Sequence, residues 1–178
     1  AYLIAIAVTN YSVYSHQVPN NGKPFDIVNY VYPENLASAQ SLTGVTVDIM
    51  NLFTQLFEEY PYADEKYGHA QFGWGGGMEH QTMTTIGVFE KKITAHELAH
   101  SWWGDDIGIA SFSDVWLSEG FATYSEYLML ENMYPMNGFV RISYDKLMMR
   151  SLKFKNKSLL KKHQAILKMM TTLTFKIL

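Results

Sequence analysis

The sequence predicts an α+β fold in which a small mixed or antiparallel sheet packs against two helices in the second half of the chain. Three observations lead there. Strand-like runs bounded by turn residues occupy much of the first ninety residues. Three glycines, Gly75, Gly76 and Gly77, interrupt one such region. Two stretches with helical character, Glu90 to Trp103 and Val115 to about Tyr134, then follow with little between them. At 178 residues and 48 % apolar content the chain has room for one domain with a sizeable core.

Tyr2 to Asn10 is apolar and partly alternating, as a buried strand would be. Phe25 to Tyr32 (FDIVNYVY) repeats the pattern after the turn signals Pro19, Asn20, Asn21, Gly22 and Pro24, so the two are expected to be neighbours in the sheet. Ala37 to Tyr60 reads as one helix. Its Val45, Ile49, Leu52, Phe53, Leu56 and Phe57 recur at three- and four-residue spacing, and Pro61 ends it. Pro61 to Gly68 is a polar loop. Gln71 to Trp74 and Gln81 to Val88 have strand character on either side of the glycines, whose entropic cost calls for a bulge or a close backbone approach. Gly104 stands at a C-cap position for the helix from Glu90, and Ser113 or Asp114 can cap the helix from Val115 that Pro135 helps to stop.

The chemistry concentrates in these last two helices. His96, Glu97 and His100 form the pattern HExxH, and 18 residues separate His100 from Glu119. Positions i and i+4 of a helix lie about 40° apart around its axis, so His96 and His100 share a face and can reach one cation. Glu119 sits in an apolar run (Val115, Trp116, Leu117, Phe121, Ala122), where an unpaired carboxylate would cost several kcal/mol. Two neutral imidazoles and a carboxylate make a three-ligand set suited to Zn(2+), one per chain, with a fourth position left open. Glu97, beside the ligands without being one, is the candidate general base. Asp105, Asp106 and Asp114 are candidates to orient the ligand imidazoles.

HELAHSWWG followed by DVWLSEGFATYSEYL, with GGGMEH upstream at Gly75 to His80, resembles the gluzincin aminopeptidases of the aminopeptidase N and leukotriene hydrolase family. That resemblance implies a thermolysin-like zinc peptidase catalytic domain and removal of N-terminal residues from peptides. It also implies that Gly75, Gly76, Gly77, Met78 and Glu79 form the edge along which the peptide lies, with Glu79 holding the free amino terminus. A fixed anion near the metal would bind a cationic α-amine and admit only chain ends. His80 stands where the family usually has Asn, and reads as a harmless variant. The family's downstream tyrosine for the oxyanion has no counterpart, because Tyr124, Tyr127, Tyr134 and Tyr144 all lie too near Glu119. Residues 1–145 are therefore expected to be a partial gluzincin catalytic domain, without the family's flanking β and helical domains.

Charge is divided sharply. Residues 1–145 hold all 17 acidic residues and five basic ones, whereas 146–178 hold nine basic residues and no acid. This Lys- and Met-rich tail reads as a basic interaction helix, a solvated helix, or a segment outside the family sequence. The expected partner is a peptide with a free N-terminus. No apolar run reaches the roughly 18 residues that span a bilayer. Nucleic-acid binding would rest on the basic tail alone, with no aromatic platform. The absence of cysteine excludes disulfides. Two alternatives remain: a thermolysin-type endopeptidase, against which GGGMEH argues, and a catalytically silent binding module on the same fold.

Overall fold

The computed structural model describes residues 3–134, and the basic segment 146–178 lies outside them. Among the described residues five strands form one mixed sheet: β1 (Ser12–Val18), β2 (Phe25–Val31), β3 (Tyr67–Gln71), β4 (Gly77–Met78) and β5 (Thr84–Ile86). Their order is β1-β2-β3-β5-β4. The pairs at either end are antiparallel, and β3 runs parallel to both β2 and β5. Four α-helices among the described residues accompany the sheet: α1 (Leu36–Thr43), α2 (Val45–Leu56), α3 (Lys91–Ala99) and α4 (Val115–Met133). The α+β class expected from the sequence is the class observed.

Two expectations are corrected. The apolar amino-terminal stretch is not a buried strand: Ile4, Ile6 and Val8 are 75 %, 91 % and 90 % exposed, and no strand forms there. Ser12–Val18 pairs with all seven positions of β2, from Ser12 opposite Val31 to Val18 opposite Phe25, so that edge is already taken. The long helix is also divided at Gly44 and ends at Leu56, ahead of Pro61. Tyr60 turns inward instead. Its ring stacks on Phe25 at 5.3 Å, and its hydroxyl donates to the Lys66 carbonyl at 3.1 Å.

The core lies between the sheet and the helices. Phe25, Ile27 and Tyr67 from the sheet meet Ile49, Met50 and Phe53 of α2, Leu98 of α3, and Ala122 and Met129 of α4. Each large side chain buried here contributes roughly 1.5–3 kcal/mol. Trp102 joins α2 to the turn after α3: its ring makes edge contacts with Phe53 at 6.1 Å and Tyr60 at 5.7 Å, and its indole N–H donates to the Glu58 carbonyl. This packing holds α3 and α4 side by side beneath the β4 end of the sheet.

Candidate metal centre

α3 is short because the chain must turn abruptly after His100. Residues 101–106 form a wide π-type turn in which Trp103 leaves helical geometry and Gly104 adopts φ +146°. The helix predicted to run to Trp103 therefore stops at Ala99. A side chain is excluded at Gly104, where a Cβ would lie 2.8 Å from Ser118 Oγ and 3.2 Å from His100 Nδ1. The turn brings the Trp103 carbonyl back to His100, whose Nδ1–H donates to it at 3.0 Å. Ser118 of α4 donates to the same carbonyl, and its Oγ is 3.0 Å from His100 Nδ1.

His96 is oriented from α4 as well. Its Nδ1–H donates to Glu126 Oε1 at 2.9 Å, and Lys92 holds the other oxygen of Glu126 at 3.5 Å. With both Nδ1 atoms engaged as donors, the neutral tautomers present their Nε2 lone pairs. The two Nε2 atoms are 3.3 Å apart, and Glu119 oxygens lie 3.2 Å from that of His96 and 3.8 Å from that of His100. Three acceptor atoms converging within 4.8 Å fit a cation and repel one another otherwise.

Titration reflects the same arrangement. A proton on His96 Nε2 is the alternative to a metal ion there: burial opposes a charged His96, yet hydrogen bonds to Glu119 and Glu126 outweigh it and raise its pKa to about 10. Burial lowers that of His100. The hydrogen bond from His96 lowers the pKa of Glu119, keeping it a carboxylate. These residues favour one positive charge at their centre.

Glu97 packs against β4 and keeps a carboxylate oxygen within 4.8 Å of a ligating nitrogen of His100. A Cβ on Gly77 would stand 2.5 Å from Glu97 Cγ and 2.7 Å from its Oε1, so the missing side chain in β4 is what admits this carboxylate. Glu97 is 7 % exposed, and burial raises its pKa to about 7. Glu79 has a carboxylate oxygen within 4.8 Å of ligating atoms of Glu97 and His100. Gly77 and Met78 pair with Ile86 and Thr85 of β5, and β4 is the last strand of the sheet. Gly75 and Gly76 lead into it, Gly76 at φ +102°. His80, read as a harmless variant, anchors the end of this edge through a 2.6 Å hydrogen bond between its Nδ1 and Thr85 Oγ1.

One orienting residue escaped the sequence. Asp105, Asp106 and Asp114 were the candidates, but the carboxylate on His96 belongs to Glu126. Asp105 is half-buried, its Oδ1 buried without a partner among the described residues and its pKa raised to about 8, chiefly by burial; Asp114 accepts from Ser111. Glu126 follows Glu119 by seven residues, two helical turns, so both face α3. Replacing Glu126 by Ala is expected to weaken zinc affinity about 10- to 100-fold, as loss of an orienting carboxylate does. Competition against a chromophoric chelator measures it, and unchanged affinity would contradict the role.

A mixed sheet ending on a glycine-rich edge, laid over an HExxH helix and a following glutamate helix, defines the catalytic-domain class of zinc metallopeptidases. The chain belongs to peptidase family M1, whose domain model matches residues 42–174. It is 30 % identical over 146 residues to human (Homo sapiens) glutamyl aminopeptidase and 32 % identical over 148 residues to aminopeptidase N of Oryctolagus cuniculus. Each match covers 71 % of this chain and 15 % of the relative, so the chain spans about 15 % of the length of these curated relatives. Among solved structures, an M1 zinc metallopeptidase from Deinococcus radiodurans aligns at TM-score 0.57 and 26 % identity, covering 69 % of this chain and 29 % of that one. A mutant of an M1 zinc metallopeptidase from the same organism, bound to a Tyr-Ser-Ala substrate, aligns at TM-score 0.62 and 24 % identity over 80 % of this chain and 33 % of that one, a likeness of fold. The family implies zinc.

Proposed function

We propose that this domain is the catalytic part of a zinc aminopeptidase, holding one Zn(2+) on His96, His100 and Glu119. The observation that carries the reading is the pair of histidine Nε2 atoms, each freed by an Nδ1 donor bond and each facing Glu119. When bound, zinc supplies Lewis-acid polarisation of a carbonyl and acidification of water. The chain's own residues do the rest. The outer edge of β4 takes the peptide backbone as an added strand. Glu79 binds the α-ammonium and limits hydrolysis to the first peptide bond. Glu97 accepts the proton of the attacking water and returns it to the leaving amine. A pKa near neutrality suits both halves of that transfer.

Elemental analysis of the purified protein tests the metal assignment. About one zinc per chain is expected in the parent and much less in Glu119→Ala; an equal content in both, or none after reconstitution, would defeat it. Acetylating the substrate amine tests the rest. Blocked peptides are expected to bind and react at least 10-fold more weakly than free ones, since an ion pair with Glu79 is lost. Equal handling would favour a thermolysin-type endopeptidase.

A further inference from the structure

Trp74 is left unused by the reaction as described. It is 64 % exposed, in the loop between β3 and β4, and makes an edge contact with Phe72 at 4.5 Å between centroids. Its placement is fixed from both sides. A Cβ on Gly87 would lie 1.5 Å from the Trp74 carbonyl oxygen, so the backbone here runs directly over a glycine that no other residue could replace. The indole ring in turn lies against Gly76, 3.7 Å from where a Cβ would be. Gly76 is the residue before β4, and its carbonyl accepts from Gly87 N–H at 2.8 Å.

The direction of a bound peptide follows from two anchors. Glu79, beyond the C-terminal end of β4, takes the amine. Glu97 lies against Gly77, so the bond to be cut lies beside Gly77. A strand rises about 3.3 Å per residue, and a peptide running from Glu79 past Gly77 continues over Gly76 towards the indole. We propose that Trp74 is a specificity-determining platform on which the side chain of the second or third substrate residue stacks, favouring aromatic and large apolar residues beyond the cleaved bond. The inference rests on the aminopeptidase reading, which supplies the amine anchor. An exposed indole face beside a backbone-binding edge offers large, rigid contact area at little conformational cost.

The test uses the full chain, zinc-loaded and carrying Glu97→Gln so that peptides are bound and not consumed, with calorimetric titration of Ala-Ala-Ala, Phe-Ala-Ala, Ala-Phe-Ala and Ala-Ala-Phe. Phenylalanine at the second or third position is expected to tighten binding about 3- to 10-fold over Ala-Ala-Ala. Adding Trp74→Ala should remove that gain, Trp74→Tyr should keep most of it, and the effect of phenylalanine at the first position should be the same in all three proteins. A gain that survives Trp74→Ala, or no gain at either position in the parent, overturns the proposal. Acetylated Ala-Ala-Phe that keeps both its affinity and its dependence on Trp74 supports the platform and counts instead against the amine anchor at Glu79.

Discussion

Glu97→Gln is expected to lower turnover of free-amine peptides by about 10²- to 10⁴-fold in the zinc-loaded protein, with zinc content unchanged. The substitution keeps the side chain's length and shape, so the pocket made by the missing Cβ of Gly77 remains filled. What it removes is the capacity to take up and return a proton. Metal uptake should be spared because the ligating Nε2 atoms are oriented through Glu126, Ser118 and the Trp103 carbonyl, none of which touches the Glu97 carboxylate in this arrangement. Steady-state rates beside elemental zinc analysis make the comparison. Activity retained within a few-fold would remove Glu97 from the reaction, whereas loss of both activity and zinc would mean that it supports the metal site.

A second large effect concerns acid. His69 of β3 is fully buried, its Nδ1 bonded to Asn29 Oδ1 at 2.8 Å and its Nε2 without a partner among the described residues. Burial, aided by the nearby His16, depresses its pKa from 6.5 to about 3. Between those two values the unfolded chain binds a proton that the folded protein does not. This residue's contribution is therefore fully present above pH 6.5 and declines as pH falls towards 3, by about 1.4 kcal/mol per pH unit. Urea titrations at pH 7.5, 6.0 and 5.0 read it as a slope. His69→Gln should flatten the loss of stability with acid by up to about that amount, whatever it costs at neutral pH. A variant with the parent's slope would show that His69 is protonated in the folded state.

The metal helices were legible because their chemistry is local. HExxH places two imidazoles on one face by helix geometry alone, and α4 begins at Val115 where the sequence places it, although Asp114 at its N-cap makes no side-chain capping hydrogen bond. The sheet was harder to read. β1, SVYSHQV, alternates half-buried and exposed positions, with only Val18 buried, and its apolar content is low. The stretch before it, richer in Ile and Ala, drew the strand assignment although it stays exposed; apolar content alone does not say which segment wins the edge of β2. Of β3, the sequence reads Tyr67 and Gly68 as loop and only Gln71 as strand, and YGHAQ lacks β-branched residues. It is nonetheless buried at every position, with a strand on each side, a consequence of tertiary context. Glu126 was missed for a related reason. The turn at Gly104 decides which groups reach the imidazoles, and that turn depends on contacts with Ser118, 14 residues further along the chain.

The two-residue length of β4 bears on solubility. Sheet edges are ready templates for pairing with other chains, and proteins commonly blunt them by keeping them short or twisting them away. Gly77 and Met78 leave too little unpaired backbone for the five or six residues of a typical strand from a neighbouring molecule. That brevity is expected to guard the domain against edge-to-edge aggregation.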